Sequence, residues 1–152
     1  MRKSLIVLLS VVALAGATAA AALRPLPVTP LPKVVVYKSP TCGCCSKWID
    51  YIKAAGFPVE VHDVDDVSEY AASSGVPSAL GSCHTALVQG YVIEGHVPAD
   101  LIQKLLTEKP RVAGLSVPGM VVGSPGMDGN PAQPYDVISW TKDGKTAVYA
   151  KR

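Results

Sequence analysis

The sequence predicts an α/β domain in which a βαβα segment is followed by a ββα segment, then a Gly/Pro/Met-rich loop and a C-terminal β-hairpin. Three observations carry this. Short β-branched runs alternate with segments whose apolar residues recur at helical spacing. Gly or Pro stands at most of the junctions between them. The pairs Gln89-Gly90 and Asp143-Gly144 separate strand-like runs at hairpin distance.

Val34-Val35-Val36-Tyr37 reads as a buried strand ending at Ser39-Pro40. In the segment from Ser46 to Ala55, Trp48, Ile49 and Ile52 share one helical face, and Gly56 stops the helix. Val59-Glu60-Val61-His62 alternates as a strand does, and the acidic Asp63 to Asp66 can cap a short helix running through Ser74. Gly75-Val76-Pro77 breaks that helix. Thr85 to Val88 and Tyr91 to Glu94 then make a hairpin. Val97-Pro98-Ala99-Asp100 starts a last helix with Leu101, Ile102, Leu105 and Leu106 inward and Pro110 beyond its end. From 111 to 134 no regular element is expected, although the doubled phrases Val117-Pro118-Gly119-Met120 and Ser124-Pro125-Gly126-Met127 argue for an ordered, purposeful loop. Asp136 to Trp140 and Thr146 to Tyr149 spell the terminal hairpin.

The chain has 152 residues, enough for one domain, and its 49% hydrophobic content against 17% charged excludes disorder for the main body. Residues 1–22 read as a cleavable secretory signal: Arg2 and Lys3, an apolar run from Leu5 to Leu14, then small residues at Ala17-Thr18-Ala19 and Ala20-Ala21-Ala22. Residues 23–33 carry four prolines and form an extended linker, so the folded domain is expected over 34–152. An exported chain of this kind is expected in the periplasm. Without the signal, basic and acidic side chains balance at 12 each, which leaves no basic stripe for nucleic acid and no membrane association after cleavage.

The chemistry lies in Thr41-Cys42-Gly43-Cys44-Cys45 at the start of the first helix and in Cys83-His84 after the Val76-Pro77 turn. Unpaired amides and the helix dipole favour a thiolate there, so Cys42 is expected to be reactive. Strand order, Cys-x-x-Cys and Val-Pro together resemble the thioredoxin-like plan over roughly residues 33–109. That plan implies a cis Pro77 beside Cys42, and a segment of six residues can then return Cys83 to the same helix end. A third thiol between Cys42 and Cys45 departs from a plain dithiol motif. Cys42, Cys44, Cys45 and Cys83, with His84 and the thioethers of Met120 and Met127, form a soft set that suits Cu(I). Zinc competes for such cysteines but makes little use of thioether. His96 ranks behind His84 as an imidazole ligand. His62, Trp48, Tyr51, Trp140 and Tyr149 read as structural.

Ser39 to Trp48, Gly75-Val76-Pro77-Ser78, Ser82-Cys83-His84-Thr85, Glu94 to Pro98, Gly119-Met120 and Gly123 to Met127 resemble the CopG-type periplasmic copper-resistance family, exported proteins formerly grouped as a domain of unknown function. The resemblance implies a thioredoxin-like fold, copper held by the cysteines, and a role in copper tolerance with interconversion of Cu(I) and Cu(II). Bridging thiolates could hold several Cu(I) ions, and Cys42 with Cys45 could act as a redox pair. Copper ions and other periplasmic copper-handling proteins are the expected partners. Two alternatives stand beside this one. The first is a thiol-disulfide oxidoreductase acting on protein substrates, with Cys42 as nucleophile and Cys45 as resolving thiol. The second is a domain stapled by two structural disulfides.

Overall fold

The computed structural model describes residues 30–152. The signal expected over 1–22 and residues 23–29 of the linker lie outside the described residues. Val34–Lys38 (β1) has its odd-face residues solvent-touched and Val34, Val36 and Lys38 buried, the period-two pattern of a pleated strand. It pairs in parallel with Val59–Asp63 (β2), the connection being the helix Gly43–Ala54 (α1). On its other side it pairs antiparallel with His84–Val88 (β3), which forms a hairpin with Tyr91–Glu94 (β4). Gln89 at φ 46° and Gly90 at φ 86° supply the two left-handed residues that such a two-residue turn requires.

Two further helices complete the helical set. Val67–Ser73 (α2) is capped by Asp66, whose carboxylate accepts the Glu69 N–H, and Ala99–Glu108 (α3) follows Pro98. After α3 the chain returns as Gly114–Ser116 (β5), parallel to β4, and then runs through Asp136–Trp140 (β6) and Thr146–Lys151 (β7), both antiparallel to their predecessors. One seven-stranded sheet results, in the order β2-β1-β3-β4-β5-β6-β7.

Neighbouring residues on each strand feed opposite faces of this sheet. Val36, Ala86, Ile93, Leu115 and Val137 meet Trp48, Ile49 and Ile52 of α1 and Ile102 and Leu105 of α3 in the larger core. Leu87, Val92 and Ile138 meet Ala71 of α2 with Val76, Leu80 and Trp140 on the other face. Trp48 is fully buried, and its indole N–H donates to the Val97 carbonyl at 3.0 Å, which satisfies the one polar atom that burial would strand. No helix among the described residues is long and apolar enough to cross a membrane.

The α/β, thioredoxin-like arrangement expected from the sequence is the observed one, with two corrections. The stretch from 111 to 134 contains a strand after all. β5 is only three residues long and begins at a glycine, so it has no readable alternation, yet it is buried throughout and joins the terminal hairpin to the main sheet. Pro77 is not cis; the cis X-Pro bond among the described residues is Asn130–Pro131. Instead of leading straight into β3, Pro77 opens a 3-10 turn over Ser78–Leu80, its carbonyl accepting the Leu80 N–H at 2.8 Å. The inserted Gly81-Ser82-Cys83 then puts Cys83, rather than a proline, immediately before β3. Tyr51 has the structural role expected of it although it is partly exposed, its hydroxyl accepting the Ala99 N–H at the start of α3.

Candidate metal centre

Cys42 is the N-cap of α1. Its backbone is extended, and its Sγ accepts the Cys45 N–H at 3.3 Å, so sulfur takes the place that a hydroxyl or carboxylate oxygen usually fills at a helix start. Cys42 and Cys45 are joined by a disulfide, with Cα atoms 5.4 Å apart. Cys44 and Cys83 are free thiols. The Sγ of Cys44 lies 3.5 Å from that of Cys42 and 4.0 Å from that of Cys83, and sulfurs of all four cysteines fall within 4.8 Å of one another. The pairing into two structural disulfides therefore gives way to one disulfide with two free thiols: Cys42 and Cys45 sit one helical turn apart at bonding distance, while Cys44 and Cys83 remain at non-bonded separation.

Cys83 is brought to α1 by a buried carboxylate. Glu94 on β4 is fully buried and accepts the Ser82 N–H at 2.7 Å through Oε1 and the Thr85 hydroxyl at 2.7 Å through Oε2. These bonds fix the chain on both sides of Cys83. Burial raises the Glu94 carboxyl to about 7, against the lowering effect of its two hydrogen bonds. Burial, followed by the nearby Cys44, likewise pushes the Cys83 thiol up to about 12. A thiol so placed keeps its proton until a cation replaces it.

Two imidazoles flank Cys83. His96 Nδ1 is 2.7 Å from the Pro125 carbonyl oxygen, which can only accept, so Nδ1 carries the hydrogen and the lone pair resides on Nε2. That Nε2 lies 3.0 Å from Cys83 Sγ. His84 is completely buried, tilted against Trp48 at 4.4 Å between ring centroids and edge-on to His96 at 5.1 Å. Its Nδ1 is 3.5 Å from Cys83 Sγ, and its Nε2 has no hydrogen-bond partner among the described residues. Burial drives the His84 ring down to about 3, with His96 adding to the effect, and burial also lowers His96; both are neutral and able to donate a lone pair.

The glycine-rich loop forms a cover over this corner. Ser82 Oγ donates to the Gly119 carbonyl at 2.5 Å, and the Gly119 N–H donates to the Gly81 carbonyl at 3.0 Å, so the loop is stitched to the segment that carries Cys83. Lys47 reaches Asp128 at 2.6 Å across the surface. Met120 is 61% exposed and Met127 half-buried, both on this covering loop.

The structure thus brings Cys42, Cys44, Cys45, Cys83 and His84 together, and leaves Met120 and Met127 on the covering loop. It promotes His96, which the sequence reading placed behind His84, and adds Glu94, to which that reading gave no role at the site. The Glu94-Gly95-His96 phrase was the available signal for both. A glutamate at the end of a buried hairpin strand needs a partner, and the partner is the backbone beside Cys83. His62 lies away from the site, bonded to Glu60 at 2.7 Å and stacked on Tyr37.

A thioredoxin-like sheet carrying a helix-start cysteine cluster, faced by an opposing Cys-His segment, defines a thiol-based metal or redox domain. Comparison with known proteins narrows this. Residues 34–77 match the glutaredoxin family model, and residues 80–127 match the family described as protein of unknown function, DUF411. No curated protein sequence matches the chain. Two solved structures of copper resistance protein CopG resemble it closely. Form 2 is 42% identical with a TM-score of 0.77, over 82% of this chain and 99% of that one. Form 1 is 41% identical with a TM-score of 0.75, over 80% and 98%. The chain belongs to the CopG copper-resistance family.

Proposed function

We propose that this protein binds copper on the cysteine cluster and serves copper tolerance, holding Cu(I) in the reduced state. The observation that carries the reading is the convergence of four sulfurs within 4.8 Å at one helix end. Thiolate is the ligand type that favours Cu(I) over harder cations, and bridging sulfur accommodates more than one ion. Cys42, Cys44, Cys45 and Cys83 are the ligands, His84 assists, and Met120 and Met127 on the covering loop add thioether. Residues 1–22 direct export, and the mature chain works in the periplasm beside other copper-handling proteins.

The Cys42–Cys45 pair gives the site a redox element. Two thiolates that close to a disulfide release two electrons, enough to take two Cu(II) to two Cu(I); the reverse reaction returns them. The experiment is an anaerobic titration of the fully reduced protein with Cu(I) against a chromogenic Cu(I) chelator, with thiol alkylation in parallel. Binding that outcompetes the chelator and shields the thiols supports the reading. A second reading, thiol-disulfide exchange with protein substrates, is favoured by one observation: the disulfide joins a half-buried Cys42 to a fully buried Cys45 at a helix start. Brisk insulin reduction that copper leaves unchanged would select it.

A further inference from the structure

Alternation along β1 sends its side chains to two faces of the sheet. Val34 and Val36 pack on the α1 side, so Tyr37 is turned to the opposite face, where α2 lies. There its ring is stacked on that of Tyr70 from α2, with centroids 3.8 Å apart and planes 21° apart. Aromatic pairs ordinarily sit about 4.5–7 Å apart, so these two phenols are held in close contact with little offset. We propose that Tyr37 and Tyr70 form an intramolecular dityrosine site, at which a peroxide activated by a redox metal closes a carbon–carbon bond between the two rings and ties α2 covalently to β1. The pair lies on the face of the sheet away from α1 and its cysteines, and the proposal does not depend on metal binding there.

Several features single this pair out. All six tyrosines of the chain fall within the described residues, and Tyr37 with Tyr70 is the stacked tyrosine couple among them. The neighbouring Tyr37 hydroxyl raises the Tyr70 phenol above its ordinary value, which sets the hydroxyl-bearing ends of the rings side by side, with the carbons ortho to oxygen adjacent. His62 stacks on Tyr37 as well, at 5.1 Å, and confines its ring. Both tyrosines are half-buried, so a small oxidant reaches them while their rings stay in place. Held in this way, two radicals couple as if unimolecular. Each phenol gives up its hydroxyl hydrogen as one electron and one proton, and the radicals join through the ortho carbons. The hydrogens on those carbons then return to the oxygens. Overall two C–H bonds break and one C–C bond forms, while the O–O bond of hydrogen peroxide is cleaved and takes up the two electrons and two protons as two molecules of water. The product suits the place. α2 has seven residues and buries Ala71 alone, so little apolar area holds it on the sheet and a covalent tie adds what packing lacks.

The test treats the dilute, metal-free, full mature chain with hydrogen peroxide and a small haem peptide as the activating metal. Afterwards the thiols are reduced and alkylated, so that any disulfide is removed from the count, and the protein is digested. The expected result is dityrosine fluorescence in the monomer band and a reduction-resistant peptide pair that joins Tyr37 to Tyr70, lighter than the two separate peptides by two hydrogen atoms. Tyr37→Phe and Tyr70→Phe, which keep the ring and remove the hydroxyl, should each abolish that pair. Unfolding the protein in urea before oxidation should lower its yield by about tenfold or more, because proximity is then lost. The cross-linked protein should also melt at a higher temperature than the untreated one. A monomer without the Tyr37–Tyr70 link overturns the proposal, whatever other products form. So does a link formed between chains only, a yield that urea leaves unchanged, or a fluorescent monomer that survives in a folded Tyr70→Phe protein. None of these outcomes bears on Cu(I) binding by the reduced cysteines, so the two readings stand or fall separately.

Discussion

Gly126 of the covering loop lies directly on the first turn of α1, where a Cβ would fall 2.6 Å from the Trp48 amide nitrogen and 3.0 Å from the Cys44 carbonyl oxygen. Its φ of +82° is left-handed as well. Two separate requirements therefore call for glycine at one position, and its neighbour Pro125 is the residue whose carbonyl holds His96. The closeness of loop and helix is what lets a surface segment act as a wall of the metal centre.

Gly126→Ala should accordingly lift the loop. Backbone strain of about 1–3 kcal/mol adds to the clash, so the melting temperature should fall and the loop should become accessible to protease. Because the Pro125 carbonyl moves with it, metal affinity should fall too. Thermal unfolding, limited proteolysis and chelator competition on the same preparation check all three.

The oxidised and reduced proteins should differ in Cu(I) affinity. Closing Cys42–Cys45 withdraws two of four thiolates, and a chelator that barely competes with the reduced protein should strip the oxidised one. Equal affinity in the two states would mean that Cys44 and Cys83 alone hold the ion. Competition titrations at matched chelator concentration measure the difference.

Cys83→Ser should lower Cu(I) affinity strongly while leaving the Cys42–Cys45 disulfide able to form, because Cys83 lies on the segment before β3 and shares no disulfide with either cysteine of the pair. Met120→Ala and Met127→Ala should have smaller effects, since Met120 is exposed and Met127 only half-buried on the covering loop. Copper retained per chain after desalting ranks the variants, and thiol counting confirms the disulfide.

Glu94→Leu should destabilise the fold by about 1–3 kcal/mol for each donor left unsatisfied, the Ser82 amide and the Thr85 hydroxyl. Glu94→Gln, which retains one carbonyl acceptor, should lose less. Denaturant unfolding of the metal-free protein gives the stability order. Metal affinity should follow the same order, because the Ser82 bond sets where Cys83 stands.

The order of elements was legible because each carries a local signature. β1 is a run of valines, α1 shows Trp48, Ile49 and Ile52 at helical spacing, and the β3–β4 turn is marked by Gly90. β5 was not legible, since three buried residues starting with glycine have no periodicity; its strand conformation comes from pairing with β4 and β6. The trans Pro77 was missed for a related reason. The fold-level analogy assumed that the proline abuts β3, and the 3-10 turn inserted after it is a matter of packing around Leu80 rather than of local propensity.

The candidate site divides in the same way. Three sulfurs within four positions at a helix start follow from chain connectivity and helical geometry, so the sequence alone fixed Cys42, Cys44 and Cys45 as neighbours. Cys83, His84 and His96 become their neighbours only because β3 and β4 form a hairpin whose far end faces α1, held there by the buried Glu94 carboxylate. Which nitrogen of His96 is free, and that His84 is left with an unpartnered one, depends on Pro125 and on burial. Those are contacts between residues far apart along the chain, and such contacts exist only once the sheet and its covering loop have closed.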